Sequence, residues 1–590
     1  MIESSNLKKS ALLTLLLMAT QVAMLRAAPV SWVERSNANS IVLLKAIAST
    51  KPEEVSSYGL KDYDNQVADL APGVAARERA NLQSATDRLK ASFASETDPL
   101  VRSDLEILVQ AAEMRMKGSA LTERLLLDYV SVGRLIFYGE FYFLRDQMAE
   151  ERRISALSRL KRYTGMEPGS VAATERAKVL FTESMKEPGR LGPYRGEVEK
   201  DLSDLESYAS GIRKLFEKHK IPGAGPALDA LDTQLKDYGA WVRANVLPRA
   251  RADFRLPREL YAQNLREIGL GIPPEELIHK AELEYSETEN ELQAIAPLVA
   301  RERGFADTDY RLVVRDLKRE QLAPSEVEAY YHEVIAKIEG AIRRERIIAL
   351  PERSLVMRLA SEAETAAQPA PHYQPPPLIG NLGERGEFVL PLANSKAEAD
   401  PNARYDDFSF KAASWTLSAH EGRPGHDLQF TGMLEQGVSL ARSIFAFNSV
   451  NVEGWALYAE AEFKPYEPLD GQMIALQLRL LRAARAILDP MLNLGLISRE
   501  RAHDILRNDV CLSEAFTTEE LDRFTFRSPG QATAYFYGYS RLMELRASTE
   551  IALGPKFDRF AFNNFIVGQG LLPPDLLAAA VNSEFIPSQK

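Results

Sequence analysis

The sequence predicts a mainly α protein, and three observations carry that expectation. From about Glu78 to Leu350, apolar residues recur three and four positions apart, as in Leu100 to Met116 and Leu121 to Met148. That spacing places them on one face of a helix. Strand-like alternation is scarce over the same span. Prolines and glycines punctuate it at 165–169, 188–193, 222–226, 248–257 and 273–274, each a helix boundary because proline lacks a backbone donor. No fixed-period repeat is visible. The expected organisation is a signal peptide at 1–27, a helical region at 28–350 and a region at 351–590 that carries the chemistry, the last two free to form one continuous domain.

The chain has 590 residues, 45% hydrophobic and 26% charged, enough to bury a large core. Its formal charge of −11 and the lack of a basic stripe interleaved with aromatics argue against nucleic acid as a partner. Lys8 and Lys9 precede an apolar run from Ala11 to Leu25 that ends at Ala27 and Ala28, the layout of a secretory signal. The run falls short of the roughly 20 apolar residues a spanning helix needs, so cleavage is expected, leaving an exported protein, periplasmic or secreted, with no stable membrane span. Cys511 is the only cysteine, which rules out an intramolecular disulfide. Its apolar neighbours Val510 and Leu512 mark it as a small buried hydrophobe rather than a reactive thiol.

Residues 368–377 hold five prolines, which predicts an extended segment without regular structure, either a linker or a loop lining a cleft. Gly386 to Leu392 reads as one short strand before a loop at 393–402. Such a strand either pairs an extended substrate along its edge or only packs.

The chemistry concentrates in His420-Glu421-Gly422-Arg423-Pro424-Gly425-His426, which holds two of the seven histidines. Imidazole and carboxylate donors suit zinc, and a catalytic zinc keeps three protein ligands. A neighbouring carboxylate then serves as general base. Six helical positions advance about 600°, so an unbroken helix leaves the two rings about 120° apart. The expected remedy is a helix from about Ser409 to Arg423, with Ala412, Trp415 and Ala419 inward, stopped by Pro424 and turned by a left-handed Gly425. A third ligand is expected from Glu453, in the first turn of the helical run Asn451-Val452-Glu453-Gly454-Trp455-Ala456-Leu457-Tyr458-Ala459-Glu460. Glu460, seven residues on and on the same face, is placed to orient a ligand from behind.

These residues resemble the bacterial family called domain of unknown function 885, whose signature is HExxPGH followed by EGWAxYxE. The likeness continues through Leu428-Gln429, Arg523, Pro529-Gly530-Gln531-Ala532, Tyr535 and Gly538, and more weakly through Phe254-Arg255-Leu256 and Leu260-Tyr261. It implies a gluzincin-like metallopeptidase, a large helical body with a deep central cleft and a short strand near the site. One Zn2+ per chain would be held by His420, His426 and Glu453, with Glu421 as general base. Tyr535 is then a candidate for stabilising an oxyanion, and Arg523 for gripping a substrate carboxylate, with Gln531 beside them. A buried structural tyrosine and an arginine paired with Glu519 or Glu520 are the equal alternatives. Two departures stand out: Asn493 where relatives often carry histidine after the equivalent of Asp489, and Phe524 in place of tyrosine.

The function expected is a zinc-dependent peptidase acting on short peptides. The alternatives are the same centre cleaving a non-peptide amide or ester, and a non-catalytic helical protein that binds peptides or a partner, the reading Asn493 favours.

Overall fold

The computed structural model describes residues 31–392 and 404–590. The signal-peptide expectation at 1–27 and the loop at 393–402 fall, wholly or nearly so, outside them. Among the described residues the protein is mainly α, with one three-stranded sheet. The principal elements are α1 (Trp32–Ala48), α2 (Val74–Ser95), α3 (Pro99–Leu125), α4 (Val132–Phe141), α5 (Arg195–Lys218), α6 (Gly225–Asn245), α7 (Pro274–Arg303) and α8 (Pro324–Glu345). The sheet follows, with β1 (Val356–Leu359), β2 (His372–Gln374) and β3 (Glu387–Leu390). The chain then returns to helices: α9 (Ala413–Leu417), α10 (His426–Glu435), α11 (Ser449–Phe463), α12 (Leu469–Leu494), α13 (Glu514–Asp522) and α14 (Ala534–Leu553).

The proline and glycine boundaries agree with the sequence reading; α7, for example, begins at Pro274, whose missing donor costs nothing at a first helical position. One expected stretch divides. The apolar pattern from Leu121 to Met148 breaks after Leu125, where the Leu125 carbonyl and the Leu127 amide pair with Leu191 instead of continuing the helix. The chain restarts as α4, and that break sets the direction in which α4 enters the molecule.

The sheet corrects two expectations. β3 is not an edge: it runs between β1, to which it is parallel, and β2, to which it is antiparallel, and all four of its residues are buried. The edges are β1 and β2, and β2 lies inside the proline-rich segment expected to lack regular structure. His372, Tyr373 and Gln374 pair with Val389, Phe388 and Glu387, using the three consecutive non-proline positions in that segment.

Buried side chains on both sides of residue 350 pack into common cores. One joins Leu292, Val313 and Val327 to Phe388, Leu417, Leu480 and Phe524. Another joins Val334 and Ile338 to Leu428, Trp455, Tyr458 and Phe562. Cys511 is buried, and burial pushes its thiol up to about 11, so it stays protonated and inert near neutral pH. No helix among the described residues is long and apolar enough to cross a membrane.

Glu140 on α4 is wholly buried, and neither carboxylate oxygen has a hydrogen-bond partner. Burial raises its pKa well above the ordinary value, against the attraction of Arg159. A raised folded-state value means the native state holds a proton that the unfolded chain releases above about pH 4.5, so stability is lost as pH rises. Glu140→Gln is therefore expected to gain stability relative to wild type between pH 5 and 8, by up to about 1.4 kcal/mol per pH unit. Parallel melting curves across that range would refute a neutral Glu140.

Candidate metal centre

The helix carrying the first histidine is shorter than expected: α9 begins at Ala413 and passes into a wider π-helical turn over Ser418–Gly422. Ala412 and Ala419 are buried, whereas Trp415 is only partly so. Arg423 is then extended, and His426 opens α10. Gly425 adopts φ −77° and ψ −131°, not the left-handed conformation. Glycine is required there by contact: a Cβ would lie 1.9 Å from the His420 carbonyl oxygen. The turn is held from two sides. Arg423 donates to Asp427 at 2.9 Å, to Glu339 of α8 at 2.8 Å and to the Arg353 carbonyl. The Trp455 indole donates to the carbonyls of Pro424 and Gly425 at 3.1 and 3.3 Å. The tryptophan of the second motif thus fixes the turn within the first.

Glu453 is the fifth residue of α11, whose N-cap is Asn448, so it sits in the second turn rather than the first. Its position depends on an unusually close helix crossing. Gly454 of α11 faces Gly538 of α14, where a Cβ on Gly454 would lie 2.5 Å from the Gly538 carbonyl carbon and one on Gly538 would lie 2.0 Å from the Val450 carbonyl oxygen. Any side chain would force the helices apart.

These elements bring the two histidines and Glu453 together. Glu453 Oε2 lies 3.6 Å from His420 Nε2 and 3.5 Å from His426 Nε2. A tetrahedral ion with ligand bonds of about 2.0 to 2.2 Å separates its donors by about 3.3 to 3.6 Å, so both distances from Glu453 fit, and ligand atoms of His420, Glu421 and His426 lie within 4.8 Å of one another. Glu421 Oε1 lies 3.9 Å from His420 Nε2. Glu421 Oε2 and Glu453 Oε2 are buried without a hydrogen-bond partner, and such atoms carry a desolvation cost unless a ligand satisfies them. Two imidazoles and a carboxylate are a donor set that zinc and other first-row divalent ions accept.

The support behind His420 is complete. Its Nδ1 lies 2.6 Å from Glu460 Oε1, and Glu460 also accepts from Thr416 at 2.9 Å and Arg482 at 3.2 Å. A proton on Nδ1 leaves the Nε2 lone pair for the site. With no ion bound, burial pulls the His420 pKa down but Glu421, Glu453 and Glu460 pull it up further, to about 9. Burial raises that of Glu453, yet the close approach of both histidines holds it well below the usual carboxylate range. Burial moves that of Glu421 upward, against the attraction of the same histidines.

A cavity of about 530 Å³ opens onto these groups, within the size range of small-ligand sites. Tyr535, Arg523 and Gln531 line it together with His420, Glu421, His426 and Glu453. Arg523 donates to the Tyr535 hydroxyl at 2.7 Å and to Gln531 Oε1 at 3.0 Å, and it lies 3.5 Å from Glu520. Gln531 donates in turn to Ser449 at 2.8 Å and, more weakly, to Glu453 at 3.4 Å. Having accepted from Arg523, the Tyr535 hydroxyl keeps its own proton to donate.

Asn493 lies behind the cavity rather than in its wall. Its amide donates to Asp489 and to the Phe524 carbonyl, and Asp489 accepts from the Gly530 amide at 2.9 Å and from Tyr261 at 3.1 Å. This network supports the loop that carries Gln531. Phe524 is core.

The sequence reading missed Arg134, His372, Arg482, Arg485 and Arg527, which also line the cavity. Arg482 and Arg485 carried a signal: they stand one turn apart in the apolar-rich stretch Leu476 to Leu492, which also holds Gln477, Arg479 and Asp489, and arginines in a buried helix need partners. Arg134 and His372 carried none. A larger cavity, about 1440 Å³, shares Pro375, Phe430 and Phe447 with this one and touches none of the candidate ligands.

The fold and site thus define a helical protein with two histidines and a glutamate converging beside a buried carboxylate. The chain belongs to the family described as bacterial protein of unknown function (DUF885), whose model matches residues 52–581. It is similar to the crystal structure of "the putative lipoprotein from Colwellia psychrerythraea", at 18% identity and a TM-score of 0.74 over 95% of this chain and 100% of that one. It is also similar to "a putative lipoprotein of unknown function from Shewanella oneidensis", at 18% identity and a TM-score of 0.64 over 94% of this chain and 100% of that one. These likenesses concern the fold. No curated protein matches the chain.

Glu460→Gln, which keeps the shape but removes the charge behind His420, is expected to weaken zinc binding about 10- to 100-fold in competition with a chromogenic chelator. Unchanged affinity in a variant that melts like wild type would show that Glu460 does not orient the imidazole.

Proposed function

We propose that this protein is a zinc-dependent peptidase acting on short peptides. The observation that carries the reading is the convergence of His420 and His426 on Glu453, 3.6 and 3.5 Å from its Oε2, beside a Glu421 oxygen that has no partner. A bound zinc would supply Lewis acidity, lowering the pKa of a water toward neutrality and polarising a carbonyl. Glu421 takes a proton from water and passes it to the departing amine, the role a buried carboxylate with an upward-shifted pKa suits near neutral pH. Tyr535 donates its hydroxyl proton toward the oxygen that gains charge, and Arg523 at 2.7 Å keeps that hydroxyl aimed. The edge strand β2, whose His372 and Tyr373 line the cavity, offers main-chain groups to an extended peptide, which favours a peptide over a compact amide or ester.

The basic-then-apolar N-terminus and the two similar structures described as lipoproteins support an exported protein. We place its work in the periplasm or outside the cell.

Wild-type protein is expected to hold about one zinc per chain by elemental analysis and to cleave members of a short-peptide panel. Glu421→Gln keeps the zinc and loses at least a hundredfold in kcat, while His426→Ala loses the zinc. Wild-type protein unable to take up zinc, or full activity in Glu421→Gln, would overturn the reading.

A further inference from the structure

Five arginines line the cavity, and four of them are committed. Arg482 donates to Glu460 and to the Leu478 carbonyl. Arg485 grips both oxygens of Glu520 at 2.6 and 2.7 Å. Arg523 serves Tyr535 and Gln531, and Arg527 lies 3.5 Å from Glu519. The fifth, Arg134, is different. It stands in the first turn of α4, is only partly buried, and among the described residues its guanidinium makes no hydrogen bond and no ion pair. Its one close partner is the ring of Tyr138, at 5.6 Å. The acids that act on it electrostatically, Asp201 and Glu197, do not pair with it, and Asp201 already accepts from the Tyr129 hydroxyl at 3.0 Å.

We propose that Arg134 receives a carboxylate of the substrate, so that a free acid group is part of what this site recognises. A guanidinium presents a planar fork of donors that matches a carboxylate in two parallel hydrogen bonds. An arginine left open in the wall of a ligand-sized cavity, among four that each already pair with an acid, is the group with its whole fork to spare. This role moves the carboxylate-binding function expected of Arg523 to a residue from the opposite end of the chain. Arg523, held by three neighbours, positions Tyr535 instead. The carboxylate comes from a peptide C-terminus or from an acidic side chain. The choice of peptides as ligands rests on the peptidase reading; the acid-binding role of Arg134 does not.

The test uses the full chain bearing Glu421→Gln and loaded with zinc, so that ligands are not turned over. Calorimetry compares trialanine, trialanine amide and alanyl-alanyl-glutamate amide. Trialanine is expected to bind at least tenfold more tightly than its amide, the gain of one charge-assisted pair. Adding Arg134→Gln is expected to abolish that gap without changing the affinity for the amide, and Arg134→Lys to restore part of it. Those arms separate Arg134 from direct contact between the carboxylate and the metal, which would leave the gap intact. Tight binding of the glutamate amide assigns the acid to a side chain, and weak binding assigns it to the C-terminus. Equal binding of trialanine, its amide and the glutamate amide, a preference for either acid that survives Arg134→Gln, or binding of none of the three overturns the proposal. The peptidase reading fails separately, when zinc-loaded wild-type protein leaves all three peptides intact despite a binding gap.

Discussion

The close crossing of α11 and α14 is the constraint on which the site depends. Two glycines, Gly454 and Gly538, stand face to face, and the helix backbones approach to a distance no Cβ would tolerate. α11 carries Glu453, Trp455 and Glu460, while α14 carries Tyr535. Bringing the two together therefore sets the third donor beside the tyrosine and aims the indole at the turn between the histidines. Separating them by the width of a methyl group would disturb all of these contacts together, because one rigid helix presents them.

Around that crossing the chain buries many charges, a costly arrangement unless each finds a partner. Most do. Glu460 is shared by His420, Thr416 and Arg482, Glu520 is clasped by Arg485, and Arg423 closes on Asp427 and Glu339. Among the exceptions, Glu421 Oε2 and Glu453 Oε2 stand together beside the two histidines, while both oxygens of Glu467 and the Nε of Arg482 are also buried without partners. Two unpaired carboxylate oxygens beside the same pair of imidazoles are what a site pre-formed for a cation would present.

Much of this was legible in the sequence, for physical reasons that also explain where reading stopped. Helical spacing and proline breaks carry the α class because both act locally. The donors His420, His426 and Glu453 were legible because zinc restricts ligand chemistry and because residue types that rare, at fixed spacing, are informative. The left-handed Gly425 was a reasonable local guess that the structure replaces with a tertiary cause, the His420 carbonyl. The strand in residues 368–377 was hidden because its pairing partners lie beyond residue 386 and proline content outweighed three permissive positions. Asn493 looked like a substrate-facing substitution, but its role in tying Asp489 and the Gly530 loop together shows only in three dimensions. Arg134 was invisible for the same reason: nothing in its neighbourhood along the chain announces the cavity.

That last point bears on how such proteins diverge. The donors, the base and the tyrosine lie between residues 420 and 535, whereas α4 enters the cavity from near residue 134, after a break set by pairing with Leu191. On the proposed reading, reaction chemistry and ligand choice are written in stretches of chain almost 300 residues apart. A relative that preserved every motif around the histidines while altering the residues that launch α4 would then keep the same reactivity and turn it on different molecules. Grouping these proteins by the motifs around the histidines would sort them by what they do to a bond, and grouping them by the start of α4 would sort them by whose bond it is.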